Sequence, residues 1–65
     1  MRLLNEISIQ IKRIKASGNK YAGVRVEQGK AQYVSEIPQD NGFFVCREIS
    51  EWMPICDMPS YLSNI

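Results

Sequence analysis

The spacing of apolar residues in the first 18 positions constrains the fold more than any other feature of this chain. Leu3, Leu4, Ile7, Ile11 and Ile14 recur at helical intervals and fall within an arc of roughly 100° on a helical wheel. Such a stripe is stable only when another apolar surface covers it. The segment therefore predicts a helix whose apolar side packs on the elements that follow it.

The residues around the end of this segment also favour a helix. Ser17 and Gly18 follow the last periodic residue, and glycine can take the left-handed conformation that ends a helix. Lys12, Arg13 and Lys15 lie near the C-terminal end, where the helix dipole favours positive charge.

A strand is the alternative for residues 6–12. Ile7, Ile9 and Ile11 alternate with polar residues, and β-branched side chains suit strands. A strand here would begin a small all-β meander or barrel. In a helix, Ile9 would instead point away from the apolar stripe and lie exposed within a basic face. The pattern leaves both structures open for these residues.

The next segments predict a β-hairpin. Residues 21–26 and 31–37 alternate apolar and polar residues, and Gln28-Gly29 between them suits a two-residue turn. Pairing of Glu27 with Lys30 would place Val24 opposite Tyr33 and give an apolar face that can cover the first element.

A third strand and two short helical segments are predicted after the loop at residues 38–42. Phe43 to Cys46 is aromatic and β-branched, can extend through Arg47, and should place at least one of its two phenylalanines in the core. Helical spacing of Ile49, Trp52 and Met53 predicts a short helix over residues 47–53, which Pro54 would end. Asp57 is a candidate cap for a last helical turn with Pro59 in its first turn.

These elements predict one small α+β domain over residues 1–65. An N-terminal helix would pack on a three-stranded antiparallel sheet, followed by one or two short helical turns. A chain of 65 residues buries only about 60% of its unfolded surface, so its net stability should be small.

The cysteines and the N-terminus point to the cytoplasm. Polar residues such as Asn5, Glu6 and Ser8 interrupt any hydrophobic region of a signal peptide, and no apolar run is long enough to span a membrane. Cys46 and Cys56 should then be reduced thiols, and a disulfide between them would require an oxidising compartment. Two cysteines without histidine do not make a zinc site.

Catalysis has little support in the sequence. The chain has no histidine, so the commonest general base near neutral pH is absent, and the cysteines have no histidine partner. The glycines are scattered and do not form a phosphate-binding loop. We therefore expect a protein that is not an enzyme and uses neither a cofactor nor a metal.

Protein binding is the function that the sequence favours. The C-terminal segment contains Trp52, Met58 and Tyr61, residue types that anchor interfaces, and Ile9 is a further candidate contact. The competing interpretation is that this segment folds back and completes the core around Trp52. A free-standing domain of this size suits an inhibitor or adaptor that occupies a surface of a larger protein. Inhibitors of this size are common in phage and mobile-element genomes.

The uneven charge distribution supports the alternative of a small nucleic-acid-binding regulator. Residues 1–30 contain seven of the eight basic residues and two acidic ones, a net charge of +5, whereas residues 31–65 have a net charge of −4. The opposite net charges of the two halves also permit a homo-oligomer, in which the basic half of one copy contacts the acidic half of another. The near-neutral total charge is unlike that of most nucleic-acid-binding domains. The candidate phosphate contacts are Lys12, Arg13, Lys15, Lys20 and Arg25.

Overall fold

The computed structural model describes residues 2–65 and shows the predicted α+β architecture. Met1, the first residue of the predicted helical segment, lies outside the described residues. The sheet is open, so the alternative of a small β-barrel is wrong. The elements, in chain order, are α1 (Arg2–Ala16), β1 (Ala22–Glu27), β2 (Lys30–Pro38), β3 (Phe44–Glu48), β4 (Met53–Pro54), a 3-10 turn (Ile55–Asp57) and α2 (Met58–Ser63).

Residues 6–12 form part of α1, and the strand alternative for them is wrong. Ile7 and Ile14 are buried, whereas Ile9 is 66% exposed on the opposite side of the helix. Helical geometry brings the apolar stripe to one side, where the sheet and α2 cover it. Gly18 has φ 121° just beyond the helix, in the left-handed region expected for a residue that ends it.

The hairpin between β1 and β2 has the predicted register. Glu27 pairs with Lys30 and Val24 pairs with Tyr33. Gln28 and Gly29 have φ values of 49° and 75°, the positive angles that a tight two-residue hairpin turn requires.

The pleat of the sheet gives it two different faces. We call the face that packs on α1 and α2 the inner face and the opposite face the outer face. The sheet order is β1-β2-β3, and β4 pairs with the beginning of β2 through Met53 and Ala31. The core lies between the inner face and the two helices and is formed by Ile7, Ile14, Ala22, Ala31, Tyr33, Met58 and Leu62.

The helix predicted over residues 47–53 is wrong. The backbone N–H groups of Ile49 and Ser50 both donate to the carbonyl oxygen of Tyr33 at 3.1 Å. The Ser50 hydroxyl in turn accepts a bond of 2.9 Å from the Tyr33 N–H. Pairing with β2 therefore satisfies the backbone groups that a helix would have bonded internally.

The prediction that one of the two adjacent phenylalanines enters the core is also wrong. Phe43 and Phe44 are 71% and 67% exposed. Every residue of β3 is exposed, because neither helix covers the far end of the β2–β3 hairpin. The third strand begins one residue later than predicted and extends to Glu48.

The C-terminal helix forms where the sequence predicted a last helical turn. Asp57 occupies the N-cap position without a side-chain capping bond, and Pro59 lies in the first turn. Cys46 and Cys56 are free and exposed. Within residues 2–65, neither helix combines the length and apolarity needed to cross a membrane.

We expect truncation of the fully buried Ile14 to destabilise the fold much more than truncation of Ile9. Ile14→Ala should lower the free energy of unfolding by about 2–4 kcal/mol, because it leaves a cavity between α1 and α2. Ile9→Ala should change it by less than about 0.5 kcal/mol. Urea unfolding followed by circular dichroism measures both, and equal effects would contradict this description of the core.

Candidate protein-binding surface

The four predicted protein-binding residues do not form one surface. Ile9 lies on the side of α1 that faces away from the sheet, and Tyr61 lies in α2 beside the inner face. Because Met53 faces inward opposite Ala31, the alternation along the chain places Trp52 on the outer face. Met58 is fully buried in the core. Met58 therefore cannot contact a partner while the domain is folded.

Trp52 is half-buried and contacts Arg25. The Arg25 guanidinium carbon lies 5.2 Å from the centre of the indole ring, in a cation–π contact. Arg25 Nη1 also lies 4.0 Å from Glu48 Oε2. Nearby, Gln32 donates from Nε2 to the Ser50 carbonyl at 2.9 Å. Trp52 is thus not at the centre of the core. It is also not a freely exposed contact residue for a partner, because it covers part of the outer face.

The predicted basic surface is also divided. Lys12, Lys15 and Lys20 are exposed at the C-terminal end of α1 and the turn after it. Arg25 lies on the outer face, on the other side of the sheet from α1. The Arg13 guanidinium donates hydrogen bonds to backbone carbonyls of this chain. The five residues therefore do not line a single path for a phosphate backbone.

Arg13 connects α1 to the C-terminal end of α2. Its Nη2 donates to the Leu62 carbonyl at 2.9 Å, and its Nη1 donates to the Ile65 carbonyl at 3.5 Å. Its Nε donates to Gln10 Oε1 at 2.9 Å. The last carbonyls of a helix have no partners within the helix, and a cation there also suits the helix dipole. Sequence reasoning missed this role because the partners lie 49 and 52 residues away.

Replacement of Arg13 should destabilise the fold, unlike replacement of its neighbour. Arg13→Gln should lower the free energy of unfolding by about 1 kcal/mol, since the α2 carbonyls lose a charged donor. Lys12→Gln is the matched control and should change it by less than about 0.5 kcal/mol. Chemical denaturation compares the two variants. A stability loss confined to Lys12→Gln would contradict the structural role of Arg13.

A cleft opens on the inner face beside α2. Its volume is about 510 Å³, and its floor includes the cross-strand pair Ala22 and Ser35. These side chains are small, so they leave the surface concave between the larger residues around them. We call it the tyrosine cleft. Its lining residues are Gly18, Asn19, Lys20, Tyr21, Ala22, Tyr33, Ser35, Ile49, Tyr61 and Ile65.

Two tyrosines form one wall of this cleft. The ring centres of Tyr33 and Tyr61 lie 5.9 Å apart at an interplanar angle of 55°, a favourable tilted arrangement. Burial raises the pKa of Tyr33, and the neighbouring Tyr61 raises it further. The Tyr33 hydroxyl, protonated at neutral pH, can donate or accept a hydrogen bond.

The raised pKa of Tyr33 predicts a loss of stability in alkali. The folded chain keeps the Tyr33 proton above pH 10.0, the ordinary pKa, while the unfolded chain releases it. The stability linked to this group is complete below pH 10.0 and should fall as the pH rises through the folded-state pKa. The tyrosinate absorbance that Tyr33→Phe removes from the titration of the folded chain should develop above pH 10.0. Loss of a component that titrates at or below pH 10.0 would contradict this.

The apolar surface continues from the cleft onto β3. Val45 and Ile49 are exposed beside it, and Tyr21 and Ile65 are exposed at its border. Arg47 and Ile37 line an adjoining depression of about 470 Å³. We call the set Ile37, Val45, Arg47 and Ile49 the open inner face. Sequence reasoning did not find this surface, because the pattern of β3 does not show how far the helices extend.

The described residues contain no cluster that suits a metal, and the comparisons identify no relative. Within residues 2–65, no group of three or more Cys, Asp or Glu side chains is placed to bind a metal ion. No protein-family model, curated protein or solved structure matches the chain significantly.

Proposed function

We propose that this chain is a non-catalytic protein-binding module, an inhibitor or adaptor that places the tyrosine cleft and the open inner face on a larger protein. The observation that carries the proposal is that the part of the inner face formed by β3 lacks a covering helix. Its apolar residues Val45 and Ile49 are exposed beside a preformed cleft. Contiguous apolar patches on small proteins commonly mark interaction sites.

The residue types of the cleft support protein recognition. Aromatic residues are enriched in the centres of interfaces, and tyrosine gives a large contact area at a low entropic cost. Tyr33 is 5% exposed and Tyr61 packs against it, so this wall is ordered before a partner arrives. Preorganisation of this kind reduces the entropy lost on binding.

The charges around the surface indicate the chemistry of the partner. Lys20 lines the cleft, and Arg47 lines the adjoining depression. The acidic residue at that depression, Glu48, lies near Arg25 of the outer face. We therefore propose that the partner inserts an apolar segment flanked by acidic side chains, which would pair with Lys20 and Arg47.

We propose the cytoplasm as the site of action. Cys46 and Cys56 are exposed thiols, and an oxidising compartment would favour their conversion to intermolecular disulfides. A reducing compartment keeps the Cys46 thiol free of disulfides, so the surface of β3 around it remains accessible.

The test compares two isoleucine variants in an affinity capture from a native lysate of the source cells. Ile65→Asp places a carboxylate at the cleft, whereas Ile9→Asp makes the same change on the far side of α1. The native chain and Ile9→Asp should capture a stoichiometric protein that resists nuclease treatment. Ile65→Asp should lose at least about tenfold in affinity, because a buried unpaired carboxylate is costly at an interface.

Two results would contradict the proposal. Equal capture by both variants would exclude the tyrosine cleft as the binding site. Recovery of nucleic acid alone, lost at moderate salt, would favour the nucleic-acid alternative through Lys12, Lys15 and Lys20. Circular dichroism of both variants establishes that they are folded before capture.

A further inference from the structure

The outer edge of β3 presents unpaired backbone groups in a defined pattern. Gln39 donates to the Phe43 carbonyl at 2.7 Å, and Ile49 donates to the Tyr33 carbonyl at 3.1 Å. Opposite residues in antiparallel strands alternate between bonded and non-bonded pairs. Within β3, Val45 and Arg47 therefore bond to β2. The N–H and C=O groups that point away from the sheet belong to Phe44, Cys46 and Glu48.

This edge has little of the usual protection against pairing with another strand. Native edge strands commonly carry charged side chains, above all lysine, or proline, or lie beneath a covering element. Residues 43–49 contain neither lysine nor proline, their charged residues are the oppositely charged neighbours Arg47 and Glu48, and every residue of β3 is exposed. Phe43 and Ile49, at the two ends of this stretch, are large apolar residues that are both exposed.

The stretch is complementary to itself in one antiparallel register. A two-fold axis through Cys46 places Phe43 opposite Ile49 of a second copy, twice in the same interface. Val45 then lies opposite Arg47, whose aliphatic stem can pack on it. No like charges face each other directly in this register, and the three outward-facing residues of each copy exchange backbone hydrogen bonds.

Neighbouring registers are less favourable. An axis through Arg47 would place the two Arg47 side chains directly opposite each other, which is destabilising. An axis through Val45 would place Ile49 opposite Asn41 and leave its apolar surface without a partner. Of these three registers, the axis through Cys46 is the one that pairs Phe43 with Ile49 and keeps like charges apart.

We propose that the free edge of β3 is a dimerisation site at which a second copy of this chain pairs antiparallel about Cys46. The sheets of the two copies then form one continuous sheet with both inner faces on the same side. The four exposed side chains of the two Phe43–Ile49 pairs become covered. The dimer uses Val45, Arg47 and Ile49, which also belong to the open inner face, whereas Ile65 and the other end of the tyrosine cleft lie outside the pairing edge.

The first experiment measures the mass in solution over a range of concentrations by light scattering. The native chain should approach twice its monomer mass of 7.5 kDa as concentration rises. Cys46→Pro should remain a monomer, since proline removes an outward N–H without removing a bond to β2. Cys46→Ala retains the N–H and should dimerise like the native chain. A monomeric native chain at all concentrations, or dimeric Cys46→Pro, would overturn the proposal.

Thiol cross-linking tests the register without depending on whether the proline variant folds. In the proposed dimer the two Cys46 side chains are direct neighbours, so a short bis-maleimide should link Cys56→Ser into a covalent dimer. Cys46→Ser, which retains Cys56, should give only monomer. Cross-linking through Cys56 alone would overturn the pairing.

The variants also separate this inference from the proposed function. Ile65→Asp should dimerise like the native chain while losing the larger partner. Loss of the dimer in Ile65→Asp, with Cys46→Pro unaffected, would place self-association in the cleft and contradict the edge pairing.

Discussion

The fold depends on the contact between α1 and α2 over the inner face of the sheet. Ile14 of α1 and Leu62 of α2 are both fully buried, and Arg13 joins the same two helices through the Leu62 carbonyl. A helix of six residues such as α2 is not stable alone, so its order derives from this packing. Without α2, the stripe of α1 and the ring of Tyr33 would lose much of their cover.

The small size of the helical layer explains why so much apolar surface remains available. A chain of 65 residues has too few residues to cover both faces of its sheet, and α1 and α2 concentrate on the region around Ala31 and Tyr33. The end of the sheet that carries β3 extends beyond them. The tyrosine cleft and the β3 edge, which carry the two proposals, are therefore consequences of the same incomplete coverage.

The candidate residues predicted from the sequence separate once the chain is folded. Trp52, Met58 and Tyr61 lie close together in sequence, yet one covers the outer face, one is in the core and one borders the cleft. Residue type alone favoured all three as interface anchors. Burial depends on contacts between residues that are far apart in sequence, and residue type does not specify those contacts. The role of Arg13 could not be predicted for the same reason, because its acceptors lie almost at the other end of the chain.

Local patterns determined the elements whose stabilising contacts are close in sequence. The stripe through Ile7 and Ile14 favoured the helix that α1 forms, and Gln28-Gly29 specified the turn and register of the first hairpin, because a two-residue turn permits only a few geometries. Only the tertiary structure decided residues 47–53, whose helical spacing was overridden when Tyr33 bonded to Ile49 and Ser50. It also decided the cleft and the open edge, because their exposure depends on where the helices end relative to the sheet.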